Sequence, residues 1–461
     1  MNIPTVELND TIKSTMQVIN EHGFGIAFVV DGEKRLAGVV TDGDLRRAIL
    51  AGTSLNAPTS TVMNENPVRG FDSWSEKELQ QYLKTPDVVK RFPKLKPLVI
   101  PILDRNKRII RFEITYDEGT HIDASSSEIE TMTKPKHVLV LGGAGYIGSV
   151  LCRMLLDLGY SVKVLDNLIY GDSGIQELYG HDNFELINGD VTDIVSIVDA
   201  MKDVDAIVHL AAIVGDPAGK TKPKETLQVN YFSTGVLADV AKYLGISRFV
   251  FASTCSIYGF REDKCLEEHK PNPLSLYAET KVMSEEAILE RVGDGFCPTI
   301  LRFATIYGLS PRMRFDLVVN LFIAKATLDQ EITVYGQGRQ RRPFLHVRDV
   351  CRSIIKVMEA PMKKICGEIF NVGLEEYNMS IMELAKKIND EITEATLVTI
   401  DEKEDDRSYD VSFEKIRQQL DFTPQESVLI AIEEIREYIT KNGITDYKDK
   451  KFSNYATLKE Q

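Results

Sequence analysis

The stretch 138–149 constrains this chain more than any other part of the sequence. Residues 138–141 form an apolar run that fits a buried parallel strand, and a second apolar run after the stretch begins a helix. Three glycines lie between the two runs, at Gly142, Gly145 and Gly148. Glycines at this spacing permit a tight turn, close approach of a pyrophosphate and close packing of helix on strand, and free amides at a helix start bind phosphate. The stretch therefore predicts a dinucleotide-binding unit rather than a bare structural turn.

Length and charge narrow the class of protein. A chain of 461 residues is too long for one core of usual size, so we expect two or more domains. The net charge of -14, without a basic run, disfavours nucleic acid or an anionic membrane as the main partner. The sequence shows neither a signal peptide nor an apolar run long enough to span a membrane. The six cysteines lack a C-x-x-C pair, which predicts reduced thiols that serve mostly in packing, in a cytoplasmic protein.

Residues 1–118 contain an internal repeat. Runs rich in β-branched residues flank the turn sequence 31–34 and again the turn sequence 104–107, which predicts two hairpins. Helical apolar spacing precedes the first hairpin, and a further helix begins near Asp44. Two copies of one unit predict a pseudo-symmetric pair.

This part of the chain, residues 6–118, resembles a tandem cystathionine-β-synthase-type (CBS) domain. The resemblance rests on 25–31 and 39–46 in the first repeat and on 63–68 in the second. It implies that Thr41 and Asp44, a Thr-x-x-Asp pair, hold the ribose of an adenine nucleotide, with no equivalent pair in the second repeat. A helix cap is the alternative role for both residues, because Thr or Asp before a helix often satisfies its free amides. Both roles stay open from the sequence.

The remainder of the chain alternates strands and helices. Residues 119–133 are polar and predict a linker. The alternation from 134 to 461 predicts an α/β fold with a Rossmann-type doubly wound parallel sheet. We expect NAD binding in 134–305 and mainly substrate binding in 306–461. The predicted strands of the sheet are Val138–Leu141, Val162–Leu165, Phe184–Ile187, Ala206–Leu210, Phe249–Phe251 and Thr299–Phe303.

Polar residues at strand and helix ends supply the candidate chemistry. Asp166 ends the second predicted strand, where a carboxylate accepts the adenosine ribose hydroxyls and repels a 2′-phosphate; this favours NAD over NADP. Tyr277 and Lys281 share one face of a predicted helix. An ammonium near a phenol favours the phenolate, so Tyr277 becomes a candidate base that Lys281 activates. The hydroxyl of Thr254, at another strand end, is suited to bind the substrate oxygen.

Residues 136–440 resemble the extended short-chain dehydrogenase/reductase family, and within it the nucleotide-sugar epimerase/dehydratase branch such as UDP-galactose 4-epimerase. The resemblance rests on the glycine-rich stretch, on Tyr277 with Lys281, and on 301–303 and 342–349. It implies catalysis by Thr254, Tyr277 and Lys281, and a nucleoside-diphosphate sugar bound by Thr305, Arg342 and Arg407. The cofactor residues that it implies are Gly142, Gly145, Tyr146, Ile147, Gly148, Asp166, Asn167, Asp190, Val191, Leu210, Ala211, Asn230, Tyr277 and Lys281. It assigns no metal, and both resemblances imply a homodimer or homotetramer.

Departures from the family pattern narrow the reaction. Cys255 and Ser256 stand where the 4,6-dehydratases carry acids, so the residues for water elimination are missing. Packing is the expected role of Cys255, and a structural role that of His209 and His346. The pattern favours an NAD-dependent 4-epimerase that oxidises C4, rotates the 4-keto sugar and reduces it again. A 4-keto-sugar reductase that uses exchangeable NAD(P)H and a non-catalytic nucleotide sensor are the alternatives.

Overall fold

A computed structural model describes residues 3–22, 25–50, 53–83, 85, 88, 98–115, 135–401 and 407–459. The chain divides into two compact units, Met1–Ser125 and Ser126–Gln461. The predicted linker, 119–133, lies outside the described residues. Within the described ranges, no helix is both long and apolar enough to cross a membrane.

The N-terminal unit repeats one arrangement of three strands. Its strands are β1 (Thr5–Glu7), β2 (Ile26–Val30), β3 (Leu36–Thr41), β4 (Gly70–Phe71), β5 (Leu98–Leu103) and β6 (Ile109–Thr115). β1 pairs parallel with β2, and β2 pairs antiparallel with β3. β4, β5 and β6 pair in the same order and directions. Between the strands lie the helices Ile12–His22, Asp42–Leu50 and Glu76–Leu83 and the 3-10 turn Thr59–Thr61.

The two hairpin turns of this unit are equivalent in detail. In each, an aspartate that opens the turn, Asp31 or Asp104, accepts hydrogen bonds of 2.8–2.9 Å from the amides two and four residues later. Three residues after each aspartate, Lys34 and Lys107 both have a φ of 63°. An Asx turn of this kind replaces backbone bonds that a tight hairpin leaves unmade. The structure thus shows the predicted internal repeat.

A seven-stranded parallel sheet forms the centre of the second unit. In order across the sheet its strands are β9 (Phe184–Asn188), β8 (Ser161–Asp166), β7 (His137–Leu141), β10 (Ala206–His209), β11 (Arg248–Thr254), β12 (Cys297–Phe303) and β16 (Ile369–Val372). All neighbours run parallel. The strand order reverses between β7 and β10, so a crevice for a ligand opens at their carboxyl ends.

The six predicted strands are all present, with ends that differ by at most three residues. The seventh, β16, comes from the segment that the sequence assigned mainly to substrate binding. Its four residues include the buried Asn371, so no apolar run marks it in the sequence.

Alternating side chains of the strands fill two apolar cores. Val138 and Val140 of β7 pack in one core, against the helices Tyr146–Asp157 and Val347–Glu359. Leu139 and Leu141 pack in the other core, against residues of Ser233–Tyr243. A strand covered on both faces needs apolar residues at every position, which explains the unbroken run in the sequence.

A smaller part packs at the carboxyl ends of the sheet strands. One of its sheets contains β13 (Thr305–Tyr307), β15 (Arg341–His346) and β17 (Asn378–Ser380), and the other contains β14 (Glu331–Tyr335) and β18 (Thr396–Ile400). A third core, around Phe322 and Ile323, joins these strands to three helices.

The α-helices of the second unit span Tyr146–Asp157, Ile194–Ala200, Asp216–Thr221, Pro223–Leu227, Ser233–Tyr243, Leu276–Leu289, Val318–Leu328, Val347–Glu359, Ile381–Glu391, Glu414–Leu420, Val428–Lys441 and Asn454–Lys459. A π-helical turn covers Gln228–Phe232, and the 3-10 turns are Gln176–Leu178, Cys255–Tyr258, Met362–Lys364, Glu375–Tyr377 and Lys450–Phe452.

The cysteines differ in part from the prediction. Four are buried free thiols, at Cys152, Cys255, Cys265 and Cys351. Cys297 and Cys366 form a disulfide, with Cα atoms 4.4 Å apart. Cys297 opens β12 and Cys366 precedes the adjacent β16, so strand pairing brings together two thiols that are 69 residues apart in sequence. The expectation of reduced thiols is therefore wrong for this pair.

Candidate active site

The glycine-rich turn connects β7 to the helix Tyr146–Asp157, and its geometry explains Gly142 and Gly148. Gly142 has a φ of 82°, and a Cβ there would lie 2.8 Å from the backbone of Ala211. A Cβ at Gly148 would overlap the carbonyl oxygen of Gly142. Gly145 stands before the first helical residue, and no side chain caps the helix there. Because the helix amides keep no side-chain partner, the turn fits the pyrophosphate of a dinucleotide.

Asp166 lies at the end of β8, beside the turn. Its carboxylate accepts hydrogen bonds of 2.9 Å from the amides of Ala144 and Leu168. Burial raises the pKa of this carboxyl, and the two amide bonds oppose that rise. The neighbouring Asn167 donates a 2.8 Å bond to Asp190. The carboxylate therefore fixes the turn and also borders the space where a ribose would lie.

A cavity of about 950 Å³ extends from this turn across the carboxyl ends of the sheet. It is large enough for more than one small ligand. Most of the predicted site residues line its wall, namely Gly142, Gly145, Tyr146, Ile147, Gly148, Asp166, Asn167, Val191, Leu210, Ala211, Thr254, Tyr277, Lys281, Thr305, Arg342 and Arg407.

Two further predicted cofactor residues, Asp190 and Asn230, bond other groups of the protein. Asp190 bonds Asn167 and the amide and hydroxyl of Thr192. The buried Asn230 accepts from the amide of Ile213 and donates to its carbonyl oxygen, at 2.8 and 2.9 Å. Asn230 therefore fixes the backbone that follows β10. The sequence did not indicate these backbone bonds, and the assignment of Asn230 to the cofactor stays a prediction.

Lys281 and Tyr277 lie one turn apart on the helix Leu276–Leu289. The Lys281 side chain is only 3% exposed; its Nζ donates a 2.8 Å bond to the carbonyl oxygen of Ala252 and lies 4.6 Å from the centroid of the Phe251 ring. Burial lowers the pKa of Lys281 from 10.5 to about 7, and the carboxylate of Glu285 opposes that change. The ammonium thus lacks water and gains from any anion that forms nearby.

Thr254 ends β11 and caps the 3-10 turn Cys255–Tyr258, where its Oγ1 accepts a 3.1 Å bond from the amide of Ser256. Because an accepting hydroxyl still has its proton to donate, the Thr254 side chain keeps a donor for a ligand oxygen in the cavity. Thr254 and Tyr277 therefore face the same cavity from a strand end and a helix start.

A buried ion pair that the sequence analysis missed supports these residues. Arg302 donates to Glu285 through Nε and Nη2, with a shortest distance of 2.7 Å, and both side chains are 4% exposed. Ser253, next to Thr254, donates its hydroxyl to the same Glu285. The pair ties β11, β12 and the Tyr277 helix together. Only a comparison of related sequences could have indicated this ion pair, because a single sequence does not show which residues are conserved.

The residues that the sequence assigned to packing are buried. Cys255 donates its thiol to the carbonyl oxygen of Arg302 at 3.2 Å, and burial raises its pKa. His209 contacts the Thr234 hydroxyl at 2.9 Å, and His346 caps the helix Val347–Glu359. Burial lowers the pKa of both histidines to about 3. Burial thus favours the neutral form of each of these three groups.

Arg342 and Arg407 also line the cavity. The Arg342 guanidinium lies 5.3 Å from the centroid of the Tyr409 ring, and its Nη1 donates to the backbone oxygens of Arg341 and Arg407. These contacts hold Arg342 in place. A guanidinium held in this way is suited to bind a phosphate oxygen pair.

Several cations of the wall were missed by the sequence analysis. The described wall carries seven cationic side chains against two carboxylates, Asp166 and Asp316, although the whole chain has a net charge of -14. The missed cations are Arg312, Arg314, Lys325 and Lys448. Their only sequence signal is the Arg-x-Arg spacing after β13. A cavity of this charge favours anionic ligands.

The N-terminal pair Thr41 and Asp44 shows the geometry of a helix cap. The Asp44 carboxylate accepts from the Thr41 amide at 2.9 Å and from its hydroxyl at 2.7 Å, and the Thr41 oxygen accepts from the Asp44 amide at 3.3 Å. Arg47 donates to the other carboxylate oxygen at 2.5 Å. These bonds are those of a helix cap, and the nucleotide-binding role of the pair stays a prediction.

Comparisons with known proteins cover both units. Residues 138–373 match the NAD dependent epimerase/dehydratase family, and residues 1–51 match the CBS domain. The chain is 33% identical over 264 residues to the UDP-N-acetyl-alpha-D-glucosaminuronate decarboxylase of Bacillus cytotoxicus, covering 55% of this chain and 79% of that protein. It is 31% identical over 263 residues to the dTDP-D-glucose 4,6-dehydratase of Mus musculus, covering 55% and 72%.

Among solved structures, the UDP-glucuronic acid 4-epimerase of Bacillus cereus, in complex with UDP-glucuronic acid and NAD, aligns with a TM-score of 0.58 and 28% identity. The alignment covers 66% of this chain and 99% of that one. The three relatives are named for a decarboxylation, a dehydration and an epimerisation.

Proposed function

Because the chain belongs to the NAD-dependent epimerase/dehydratase family, we propose that it is a nucleotide-sugar 4-epimerase. The observation that carries this proposal is the arrangement of Thr254, Tyr277 and Lys281 around one cavity. The substrate is a nucleoside-diphosphate sugar, and the C4 centre of its sugar is inverted.

Tyr277 acts as the base and acid in this proposal. Its phenolate takes the proton of the C4 hydroxyl, and the phenol later returns a proton to the C4 oxygen. The glycine-rich turn and Asp166 would hold NAD, which would supply the acceptor and later the donor of hydride. The 4-keto sugar rotates between the two transfers, so reduction occurs on its other face.

Lys281 and Thr254 assist Tyr277. The buried Lys281 ammonium stabilises the phenolate by its charge, and the formation of that anion in turn favours the protonated lysine. Thr254 donates its hydroxyl to the C4 oxygen and orients it toward Tyr277. Neither step needs a group from outside the described wall.

The wall supports epimerisation over dehydration. Its two described carboxylates are both engaged elsewhere: Asp166 accepts from the glycine-rich turn, and Asp316 pairs with Arg314 at 2.8 Å. Cys255 is buried and its pKa is raised. Among the described wall residues, no free acid therefore stands beside Tyr277 to protonate a leaving hydroxyl.

The anionic part of the substrate is proposed to bind at the far end. Arg342 and Arg407 bind the diphosphate, and Thr305 lies in the wall near the sugar. The surplus of cations supports a ligand with several negative charges.

Incubation of the purified protein with UDP-, GDP-, CDP- and dTDP-sugars, without added cofactor, tests the proposal. We expect the C4 epimer of one sugar nucleotide, detected by NMR. Tyr277→Phe should lower kcat by about 1,000-fold, within the range of general acid–base catalysis, and should keep NAD affinity within about twofold. Release of water or carbon dioxide, or conversion only with added NADH, would contradict an epimerase. An active Phe variant would contradict the assignment of the base.

The N-terminal CBS domain is proposed to bind an adenine nucleotide at Thr41 and Asp44 and so to regulate the enzyme or its assembly into a homodimer or homotetramer. A cytoplasmic location is part of the same proposal, because NAD and sugar nucleotides are supplied there. Titration calorimetry with AMP and ATP tests the nucleotide site; no heat with either would leave the domain as an assembly device.

A further inference from the structure

The cavity has to hold two diphosphates, that of NAD and that of the sugar nucleotide, if the proposed function is right. Arg342 and Arg407 supply cations at the sugar-nucleotide end. At the other end, the glycine-rich turn supplies only backbone amides and the partial charge of a helix start. A full positive charge at that end would complete the site.

Arg312 lies at that end of the cavity. Gly174 separates it from the turn: a Cβ at Gly174 would lie 2.8 Å from the Cβ of Arg312, 3.1 Å from the carbonyl oxygen of Ala144 and 3.2 Å from the Cβ of Ser149. The Arg312 guanidinium lies 4.7 Å from the centroid of the Tyr170 ring, which also lines the cavity. Arg312 is therefore packed against the glycine-rich turn although it is far from the turn in sequence.

The segment that carries Arg312 is fixed to the first turn of the helix Tyr146–Asp157. The Tyr146 hydroxyl donates a 2.5 Å bond to the carbonyl oxygen of Gly308. The Ser310 hydroxyl donates a 2.7 Å bond to the carbonyl oxygen of Tyr146 and lies 3.0 Å from the Ser149 hydroxyl. These bonds hold Arg312 in register with the turn.

One nitrogen of the buried Arg312 side chain finds no partner in the part of the chain that the structure describes. It is 3% exposed, and its Nε has no hydrogen-bond partner among the described residues. Arg314, two residues later, makes two bonds to Asp316 at 2.8 and 3.0 Å. Burial, together with the nearby Arg314 cation, lowers the pKa of Arg312 to about 10, and the carboxylates of Asp316 and Asp166 offset this change only in part. A ligand anion would offset that cost.

We propose that the Arg312 guanidinium binds the diphosphate of NAD together with the glycine-rich turn, and so retains the cofactor between turnovers. The inference rests on the cofactor part of the proposed function and not on which sugar is converted. An epimerase returns its hydride to the same sugar and gains from keeping NAD bound. Arg312 joins the segment after β13 to the cofactor end of the cavity, so that release of NAD requires this contact to break.

The inference is tested by measuring the NAD affinity of three variants: Arg312→Met, Arg312→Lys and Arg342→Met. Each protein is freed of NAD, and calorimetry gives the Kd for added NAD; gel filtration of the loaded proteins gives the fraction retained. Arg312→Met should bind NAD about 10- to 100-fold more weakly, the range for loss of charge-assisted hydrogen bonds. Arg312→Lys keeps the charge without the planar fork and should fall between. Arg342→Met should keep NAD affinity within about twofold and raise KM for the sugar nucleotide.

Wild-type NAD affinity in Arg312→Met would overturn the inference, and so would a rise in KM for the sugar nucleotide without a change in NAD affinity. If Arg312→Met does not fold by circular dichroism, Arg312→Lys decides: an NAD affinity equal to that of the wild type overturns the inference. A wild-type protein that converts no sugar nucleotide contradicts the 4-epimerase proposal alone, because the NAD affinities are measured without substrate.

Discussion

Two strand-to-helix junctions of this chain carry motifs that predict nucleotide binding, and the structure builds them in opposite ways. At the junction after β3, Thr41 and Asp44 bond each other's backbone and side chain. At the junction after β7, Gly145 precedes the helix and no side chain caps it. At the first helix start, Thr41 and Asp44 make hydrogen bonds with each other. At the second helix start, the amides have no side-chain cap and can bind a ligand.

The difference shows what a nucleotide must displace at each junction. A ligand at Thr41 and Asp44 competes with hydrogen bonds already made, and with the bond from Arg47. A ligand at the glycine-rich turn finds unmade bonds and a surplus of cations in the wall. Because binding free energy is reduced by every bond that is given up, the second junction is the better prepared site.

Adding one methyl group at each junction should break the glycine-rich site and spare the other. In Gly148→Ala the new Cβ overlaps the carbonyl oxygen of Gly142, and backbone overlap cannot be relieved by a rotamer change. We expect NAD affinity to fall by more than about 100-fold, since displacement of the turn by an ångström removes several phosphate contacts at once. Calorimetry with NAD measures this.

Gly43→Ala is the matched control at the first junction. A Cβ at Gly43 would lie 3.5 Å from Arg47 Nη1 and 3.5 Å from Thr41 Oγ1, which is ordinary contact. It should leave NAD affinity unchanged and stabilise its helix by about 0.5–1 kcal/mol. Equal NAD affinity in Gly148→Ala and the wild type would show that close packing at the turn is not required.

The substitution Lys281→Met tests the contrast between the paired charge of Asp44 and the buried charge of Lys281. At the first junction Asp44 has Arg47 as its partner, whereas Lys281 is buried with a carbonyl oxygen and an aromatic ring. Without the ammonium the pKa of the Tyr277 phenol should rise, so kcat should fall by about 10- to 100-fold at pH 7. The loss should shrink as the assay pH rises; a loss independent of pH would contradict the electrostatic role.

The same substitution has an opposite effect on stability. The pKa of Lys281 is about 7 in the folded protein, against 10.5 as its ordinary value. Between these values the unfolded state binds more protons, so the wild-type free energy of unfolding rises with pH through this window. Lys281→Met should therefore be more stable than the wild type at pH 7, with a difference that decreases toward pH 10.

The sequence predicted the sheet well because its central strands are buried on both faces, and only apolar runs can fill such positions. It missed β16, since this short strand carries the buried Asn371 among its four residues. It also left Cys297 and Cys366 as separate thiols, because the pairing depends on which strands become neighbours. The local sequence pattern identifies a strand or a helix. Which strands become neighbours depends on the fold as a whole.

The predictions for the candidate site divide in the same way, between residues on regular elements and residues in loops. Gly142, Asp166 and Tyr277 lie at the ends of regular elements, and Lys281 follows Tyr277 by one helical turn, so spacing along the chain predicted that they line one cavity. Arg312 lies in a loop after β13, where spacing gives no information about direction. Asn230 makes backbone bonds that its spacing did not indicate, and its assignment to the cofactor stays a prediction. The roles of residues that lie in loops, or that act through other residues, can be assigned only from three-dimensional contacts.

Thr41→Val gives the smallest expected effect and tests the first junction directly. Valine keeps the shape of threonine and removes both hydroxyl bonds, so the N-terminal unit should lose about 1 kcal/mol of unfolding free energy. Trp74 is the only tryptophan of the chain and packs against Phe71 and Tyr82, so its fluorescence during urea unfolding reports this unit alone. Thr41→Ser keeps the hydroxyl and should match the wild type. If saturating AMP stabilises the wild type but not Thr41→Val, the cap residues also bind the nucleotide. The two junctions would then differ in their affinity for a nucleotide and not in whether they bind one.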